Sequence, residues 1–245
     1  MNTKGHPVTH LWWALLVWVA ARPTLHKWRG GQPSIADVAR RKQVRWEYAQ
    51  ADVQAWDAEP DREGLAEAFA LRDSEPEEAV SQLHELAREG SPRANNALGE
   101  HYSRGTGVPH DRIEGEKWFK RAFESGSRRG MLNYGKALYF RKDYEAAAAV
   151  FGQGADEGWA PALHWFCQAE MRRDHSLKTL LRVRPCLERA AELGSPLSAG
   201  MLAVMMLLGF FGLGRMRAGW RQMSKWMLEM DEPPPRTNAA GDTVH

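Results

Sequence analysis

Four glycine turns recur at nearly equal intervals along the chain, and this regularity limits the fold more than any other feature. The turns at Gly90, Gly126, Gly158 and Gly194 each follow a run with helical apolar spacing, and the intervals are 36, 32 and 36 residues. Such intervals match a helix–turn–helix repeat. Glycine just past a helix accepts the left-handed backbone that closes the last turn. The sequence therefore predicts an all-α fold, an α/α solenoid of antiparallel helix pairs.

The residues after two of these turns are typical of a helix start. Gly90-Ser91-Pro92 and Gly194-Ser195-Pro196 place a capping serine before a proline. Serine can accept a hydrogen bond from the first turn, and proline suits the first helical position, where no amide bond is lost. One helix thus ends and the next begins within a few residues, so neighbouring helices must pack antiparallel.

The "SRGTGVPHD" loop inside the best repeat contains a Gly-x-Gly that could suggest a phosphate-binding loop. A phosphate-binding loop of that kind follows a strand and usually precedes Lys-Ser/Thr, and neither feature is present. We therefore interpret the loop as a connection between two helices. Asp111 is expected to cap the second helix, and His110-Asp111 is not expected to be a catalytic pair.

The stretch "ANNALGEHYSRGTGVPHDRIEGEKWFKRAFESG" resembles the Sel-like repeat (SLR) family, relatives of the tetratricopeptide repeats. That pattern has Ala, Leu-Gly and Tyr on the first helix, a Gly-x-Gly-Val loop with a following Asp, and an aromatic pair with Ala on the second. The matching residues are Ala94, Leu98, Gly99, Tyr102, Gly105, Gly107, Val108, Asp111, Trp118, Phe119 and Ala122. The resemblance extends over residues 62–231, with degenerate units outside this repeat. It implies a helical solenoid that binds proteins.

The chain is expected to have four parts: an apolar and basic segment (1–31), an N-terminal helix (32–60), about five helical hairpins (61–231) and a disordered tail (232–245). Trp46, Val53 and Trp56 on the N-terminal helix are expected to dock onto the first repeat. The apolar run 197–214 resembles a membrane span, but its Leu202 and Ala203 fall on the slots of Leu98 and Gly99. We therefore expect a core helix there.

Residues 1–31 leave three alternatives open. The apolar run from Leu11 to Ala21 fits a signal peptide cleaved after Ala21 or a short anchor, being shorter than the ~20 residues that span a bilayer. Its tryptophans and neighbouring basic residues also fit a helix lying in the membrane interface. The third alternative is a soluble cap on the solenoid. The first two place the protein in a bacterial cell envelope, periplasmic or inner-membrane-associated, and the third in the cytoplasm.

The sequence shows no constellation typical of catalysis. No serine or cysteine lies in a recognisable nucleophile-elbow motif or beside a general base, and the nine histidines form no metal-binding motif. We therefore predict no enzymatic activity, metal or cofactor. Cys167 and Cys186 occupy facing slots of one hairpin, where they would form a disulfide if the chain is exported and remain two thiols otherwise.

The expected functional surface is the concave groove lined by the first helix of each repeat. Its mixed polar and aromatic residues suit protein or peptide recognition. We predict a non-enzymatic adaptor or scaffold of the cell envelope that binds a protein partner in this groove. The alternatives are an enzyme or small-ligand binder with a hidden site, and a nucleic-acid binder using the basic residues 22–45, which is less favoured. The expected groove residues are Arg93, Asn96, Glu100, Ser103, Arg129, Leu132, Lys136, Tyr139, His164, Gln168 and Met171.

Overall fold

The computed structural model describes residues 35–52, 59–207 and 216–231, and all regular structure in these ranges is helical. The all-α prediction is confirmed. The helices are α1 (Ile35–Asp52), α2 (Arg62–Leu71), α3 (Pro76–Arg88), α4 (Pro92–Arg104), α5 (Arg112–Glu124), α6 (Arg128–Phe140), α7 (Tyr144–Asp156), α8 (Ala160–Arg173), α9 (Leu177–Glu192), α10 (Pro196–Leu207) and α11 (Met216–Asp231).

The chain divides into two compact units. The larger unit, Val44–Ser195, contains the second half of α1 and the hairpins α2–α3, α4–α5, α6–α7 and α8–α9, each packed on the next. The described part of the smaller unit contains the first half of α1 and the hairpin α10–α11. In that hairpin Trp226 packs against Gly200 and its Nε1 donates to the Pro196 carbonyl at 2.7 Å.

The four predicted turns have the expected left-handed backbone. The φ angles are 93° at Gly90, 80° at Gly126, 73° at Gly158 and 92° at Gly194. Between α6 and α7 the same conformation falls on Lys142, with φ 71°, where the "FRKDY" turn has no glycine. The four glycine turns are therefore predicted correctly from the sequence.

The predicted caps at Ser91 and Asp111 are present, and Ser127 caps α6 in the same way. Ser91 Oγ accepts from Ala94 N at 2.9 Å, and Ser127 Oγ accepts from Gly130 N at 3.0 Å one repeat later. Asp111 Oδ1 accepts from the amides of the first turn of α5, at 2.9 and 3.0 Å. These bonds, first the one from Glu114, lower the Asp111 pKa because they favour the carboxylate. Asp111 is thus a helix cap, as expected.

Within two hairpins, a glycine on the first helix faces a phenylalanine ring on the second. A Cβ added to Gly99 would lie 2.4 Å from the Phe119 ring, and one added to Gly135 would lie 2.4 Å from the Phe151 ring. Each ring therefore fills the space that a side chain at the glycine would occupy. Phe151 and Leu98 are fully buried, so these contacts lie in the core of the stacked hairpins.

Some expectations concern residues outside the described ranges, namely the segment 1–31, Val53, Trp56 and the tail. The apolar run 197–214 is described as far as Leu207, and in α10 Leu202 and Ala203 are buried, as expected for a core helix. Among the described helices, none has the length and apolar character needed to cross a bilayer.

A glycine-to-alanine substitution should have opposite effects on stability inside and outside the glycine–phenylalanine contact. Gly99→Ala should destabilise the fold by about 1–3 kcal/mol, because the new methyl group forces the Phe119 ring aside. Gly152→Ala in α7 is the matched control: its Cβ would meet Phe166 at an ordinary 3.7 Å. That change should stabilise by about 0.5–1 kcal/mol through helix propensity. Urea unfolding of both variants tests this, and equal effects would contradict the close contact.

Candidate protein-binding groove

The second half of α1 lies on the face formed by α6 and α8, two of the first helices of the repeats. Its Glu47 side chain is fully buried, and the carboxylate accepts from Lys136 Nζ at 2.5 Å and from Trp165 Nε1 at 2.7 Å. One buried anion is therefore held by a cation from α6 and an indole from α8. A charge is tolerated in such a place only when it is paired and hydrogen-bonded.

Tyr48 adds a second contact between α1 and the repeats. Its hydroxyl donates to Asn133 Oδ1 at 3.3 Å, and the Arg129 guanidinium lies 4.6 Å from its ring centre. Burial raises the Tyr48 pKa, since the phenolate would lose its hydration. Ala51, one turn further, joins the core cluster of α6, α7 and α8. The chain thus fills part of its own concave face with α1.

A hydrogen-bonded row continues from this contact along the concave face. Asn133 Nδ2 donates to Asn96 Oδ1 at 2.8 Å, and Asn96 Nδ2 donates to Glu100 Oε1 at 3.1 Å. Asn133 and Asn96 are both buried. The row therefore links α1, through Tyr48, to the acidic side chain of Glu100 on α4.

Beyond Glu100 the concave face opens into a cavity of about 390 Å³, referred to below as the arginine cavity. It lies between the end of α2, the length of α4 and the start of α6, and the α4–α5 loop closes one side through Thr106. Four arginines and two acidic residues are among the lining residues, which are Phe69, Arg72, Asp73, Arg93, Asn96, Ala97, Glu100, His101, Arg104, Thr106 and Arg129.

The predicted groove residues lie in different environments. Arg93, Asn96, Glu100 and Arg129 line the arginine cavity, whereas Lys136 contacts α1. Tyr139 and Gln168 are half-buried, and the Tyr139 hydroxyl accepts from Arg172 Nε at 3.2 Å. Leu132, His164 and Met171 are buried, and Ser103 faces Gly115 of α5. Four of the eleven predicted residues therefore line the cavity.

Sequence reasoning missed two parts of this site. The occupation of the groove by the second half of α1 was missed because it depends on Glu47, which is fully buried although a charged residue on a helix normally faces solvent. Trp46, expected at the first repeat, lies beside Gly194 at the end of α9. The second missed part is the contribution of Arg72 and Arg104 to the arginine cavity. These residues lie at the C-terminal ends of α2 and α4, where basic residues are common, so the sequence did not mark them as site residues.

The buried ion pair predicts a large and specific stability effect. Lys136→Met should destabilise by about 3–5 kcal/mol, because it leaves the Glu47 carboxylate buried without its cation. Adding Glu47→Gln should recover part of that loss, since a neutral amide oxygen can still accept from Trp165. Lys120→Met, which removes an exposed pair with Glu124, should change stability little. Urea unfolding measures all three, and a silent Lys136→Met would show that α1 does not dock there.

His164 is a fully buried base beside this ion pair. Burial lowers its pKa to about 4; the positive charge of Lys136 on α6 acts in the same direction, and Glu47 on α1 acts against it. The ring packs edge-on against Trp165, 5.6 Å between centres. His164 is therefore neutral at physiological pH and serves as a core residue.

This pKa predicts an acid-sensitive fold. Between pH 6.5 and about 4 the unfolded chain binds a proton at His164 that the folded chain does not, so stability falls as pH drops through this window. The full loss is roughly 3 kcal/mol. His164→Gln should remove this part of the pH dependence, and exposed His110→Gln should retain it. Urea unfolding at several pH values gives the difference between variants, and identical slopes for all three proteins would contradict the prediction.

The two cysteines are free thiols in the α8–α9 hairpin. Buried Cys167 donates its S–H to the Val183 carbonyl at 3.5 Å. The neighbouring Cys167 thiol lowers the pKa of the half-buried Cys186 to about 7, while burial raises the pKa of Cys167. The facing slots expected from the sequence are therefore present, and a disulfide between them remains a prediction.

Comparisons with known proteins agree with this architecture. The Sel1 repeat model matches residues 92–127. The crystal structure of a Sel1 repeat protein from Oxalobacter formigenes is similar with a TM-score of 0.57 and 18% identity, over 77% of this chain and 84% of that one. A second structure, the protective antigen c5321 of uropathogenic Escherichia coli, has an SLR fold; it aligns with a TM-score of 0.37 and 17% identity over 86% of this chain and 53% of that one. No curated protein matches the sequence.

The fold and the groove define a helical-repeat protein of the α/α-solenoid class. Its repeat at residues 92–127 is a Sel1 repeat, and the resemblance to the Sel-like repeat family is confirmed. Sel1 repeat proteins are generally protein-interaction scaffolds, and the family is typically non-enzymatic.

Proposed function

We propose that the chain is a non-enzymatic adaptor of the cell envelope that binds a protein partner on its concave face. The observation that supports this most directly is the arginine cavity, an open polar space of about 390 Å³ on the face that α1 otherwise covers. Polar groups and arginine are typical of the contacts by which proteins recognise one another.

The contact with α1 supports the same function. Glu47 and Tyr48 show that this face accepts a helix through a buried ion pair, a hydrogen bond and a cation–π contact. These are the interactions that hold an amphipathic helix in a protein groove. A partner segment can use the part of the face that α1 leaves open.

The envelope location is supported by the sequence of the first 45 residues. They combine the apolar run Leu11–Ala21 with eight Lys or Arg residues against one acidic residue, Asp37. Basic residues beside an apolar segment favour contact with anionic lipid headgroups. Within the envelope, the solenoid would hold its partner close to the membrane.

A site-specific crosslink tests the binding face. A photoreactive amino acid replaces Arg104, at the rim of the arginine cavity, in the full-length chain; in the control it replaces Lys120, exposed on the second helix of the same repeat. Irradiation in cells should give a discrete adduct with another protein from position 104 and none from position 120. The absence of adducts, or the same adducts from both positions, would contradict a groove-bound partner.

Fractionation and N-terminal sequencing test the location. A cleaved signal gives a chain that begins at Arg22 outside the cytoplasm. An anchor or interfacial helix leaves Met1 in place and makes the chain sediment with membranes until detergent is added. A chain that retains Met1 and stays in the supernatant without detergent would refute the envelope proposal.

A further inference from the structure

One side of α11 is packed against α10. A Cβ added to Gly219 would lie 2.6 Å from Met206 Cβ, so the two helices approach closely at this point. The Trp226 ring lies against Gly200, and Met230 is buried. Gly219, Trp226 and Met230 follow one another at intervals of seven and four residues, which places them on the same side of a helix. The packed side fixes the rotation of α11 about its axis.

The opposite side of α11 exposes large apolar side chains. Trp220 is 64% exposed and Leu228 is 70% exposed, and Met227 is also at the surface. Leu228 follows Trp226 by two residues, about half a turn of an α-helix, so it points away from the packed side. Trp220 and Leu228 are eight residues apart and share this outer face. Because apolar surface is unfavourable in water, the outer face favours a further contact.

Basic residues run along the same outer face. Arg217, Arg221 and Lys225 occupy every fourth position of α11 and are all exposed. Residues at this spacing are neighbours on a helix surface, so the three cations form one stripe beside Trp220. Glu229 continues the stripe and lies 3.7 Å from Lys225, but both side chains are more than half exposed and such a pair contributes little. The outer face is therefore both apolar and basic.

The compact unit that contains α11 has most of the positive charge of the chain. Residues 1–43 and 196–245 include twelve Lys or Arg and five Asp or Glu, whereas residues 44–195 include 21 Lys or Arg and 26 Asp or Glu. Within the described part of this unit, Arg41 on α1 is exposed, and the neighbouring Lys42 donates from Nζ to the Glu229 carbonyl. Basic residues of α1 therefore lie close to the C-terminal end of α11.

An anionic lipid surface fits both properties of this face. Indole rings settle at the boundary between lipid and water, and lipid phosphates attract nearby Lys and Arg. A helix that combines Trp and Leu with basic residues is typical of helices that lie in the membrane interface. A second copy of the chain fits less well, because a two-fold contact would bring two identical basic stripes together.

We propose that the outer face of α11 binds the surface of an anionic membrane, with Trp220 and Leu228 among the lipid headgroups and Arg217 and Arg221 on lipid phosphates. The proposal goes beyond the adaptor function, because it gives the chain a binding surface other than the concave groove. It also requires no contribution from residues 1–31.

Fluorescence quenching by lipid tests this contact in the full-length chain. An environment-sensitive fluorescent amino acid replaces Leu228, and in the control it replaces Ile113 on α5, which is 73% exposed. The vesicles contain phosphatidylcholine and phosphatidylglycerol in equal amounts, with bromine on the acyl chains as a short-range quencher. Quenching is expected at position 228 and not at position 113, and it should be lost with vesicles of phosphatidylcholine alone.

Three results would overturn the proposal. They are no quenching at position 228, the same quenching at both positions, and the same quenching with neutral vesicles. A change in the signal from position 228 that depends on protein concentration without lipid would assign the face to a second copy instead. Because the quencher acts over a short range, binding of the vesicles by residues 1–31 does not by itself produce the expected signal.

Three variants, each carrying the probe at position 228, locate the basic contact. Arg217→Gln/Arg221→Gln should weaken the apparent vesicle affinity about tenfold or more, and Glu229→Gln should strengthen it severalfold. Arg112→Gln/Lys120→Gln removes two positive charges from exposed positions of α5 and should leave the affinity unchanged. Because damage to the fold does not strengthen binding, the gain from Glu229→Gln separates lipid contact from misfolding. Equal losses in the two double variants, or no gain from Glu229→Gln, would refute the contact.

Vesicle sedimentation and the crosslink at position 104 separate this proposal from the proposed function. A chain that sediments with the vesicles while position 228 stays unquenched retains the envelope location and refutes the contact through α11. Quenching at position 228 in a chain whose crosslink gives no adduct supports the contact and refutes the adaptor function.

Discussion

The close approach of two helices at a glycine–phenylalanine contact is the constraint on which the repeats depend. At Gly99 and Gly135 the missing side chain leaves space that a phenylalanine ring from the second helix fills. Because core packing tolerates few voids, this fit fixes the distance between the helices and their rotation about their axes. The first helix of each repeat then presents one defined face to the core and the opposite face to the groove. The positions of the groove residues follow from that rotation.

A defined concave face can hold polar groups that a loosely packed core could not. Asn96 and Asn133 are buried on neighbouring first helices and bond directly to each other at 2.8 Å. A buried amide without a partner costs about 1–3 kcal/mol, so this bond favours one relative position of α4 and α6. It also fixes Glu100, through Asn96, at the edge of the arginine cavity. The packing of the hairpins and the polarity of the groove are therefore parts of one arrangement.

The fold could be predicted from the sequence because its determinants are local. A left-handed glycine, a capping serine and a helical stripe are each recognisable within a few residues, and Gly90, Ser91 and Leu98 have the expected roles. The groove could be predicted only in part, because it depends on long-range contacts. Arg93 and Arg129 were found because they repeat. The docking of Glu47 onto Lys136, 89 residues away in sequence, leaves no local pattern, and a charged residue on a helix normally indicates solvent.

The buried Glu47 makes the position of α1 specific at an energetic cost. A hydrophobic residue of similar volume could bury as much surface without desolvating a charge, but it could also slide along an apolar groove. The carboxylate has to meet both Lys136 Nζ and Trp165 Nε1, so a shift of α1 by one turn would leave a charge buried without partners. This requirement fixes where α1 lies on α6 and α8. Tyr48 then joins α1 to the arginine cavity, because its ring packs against Arg129, one of the residues that line that cavity.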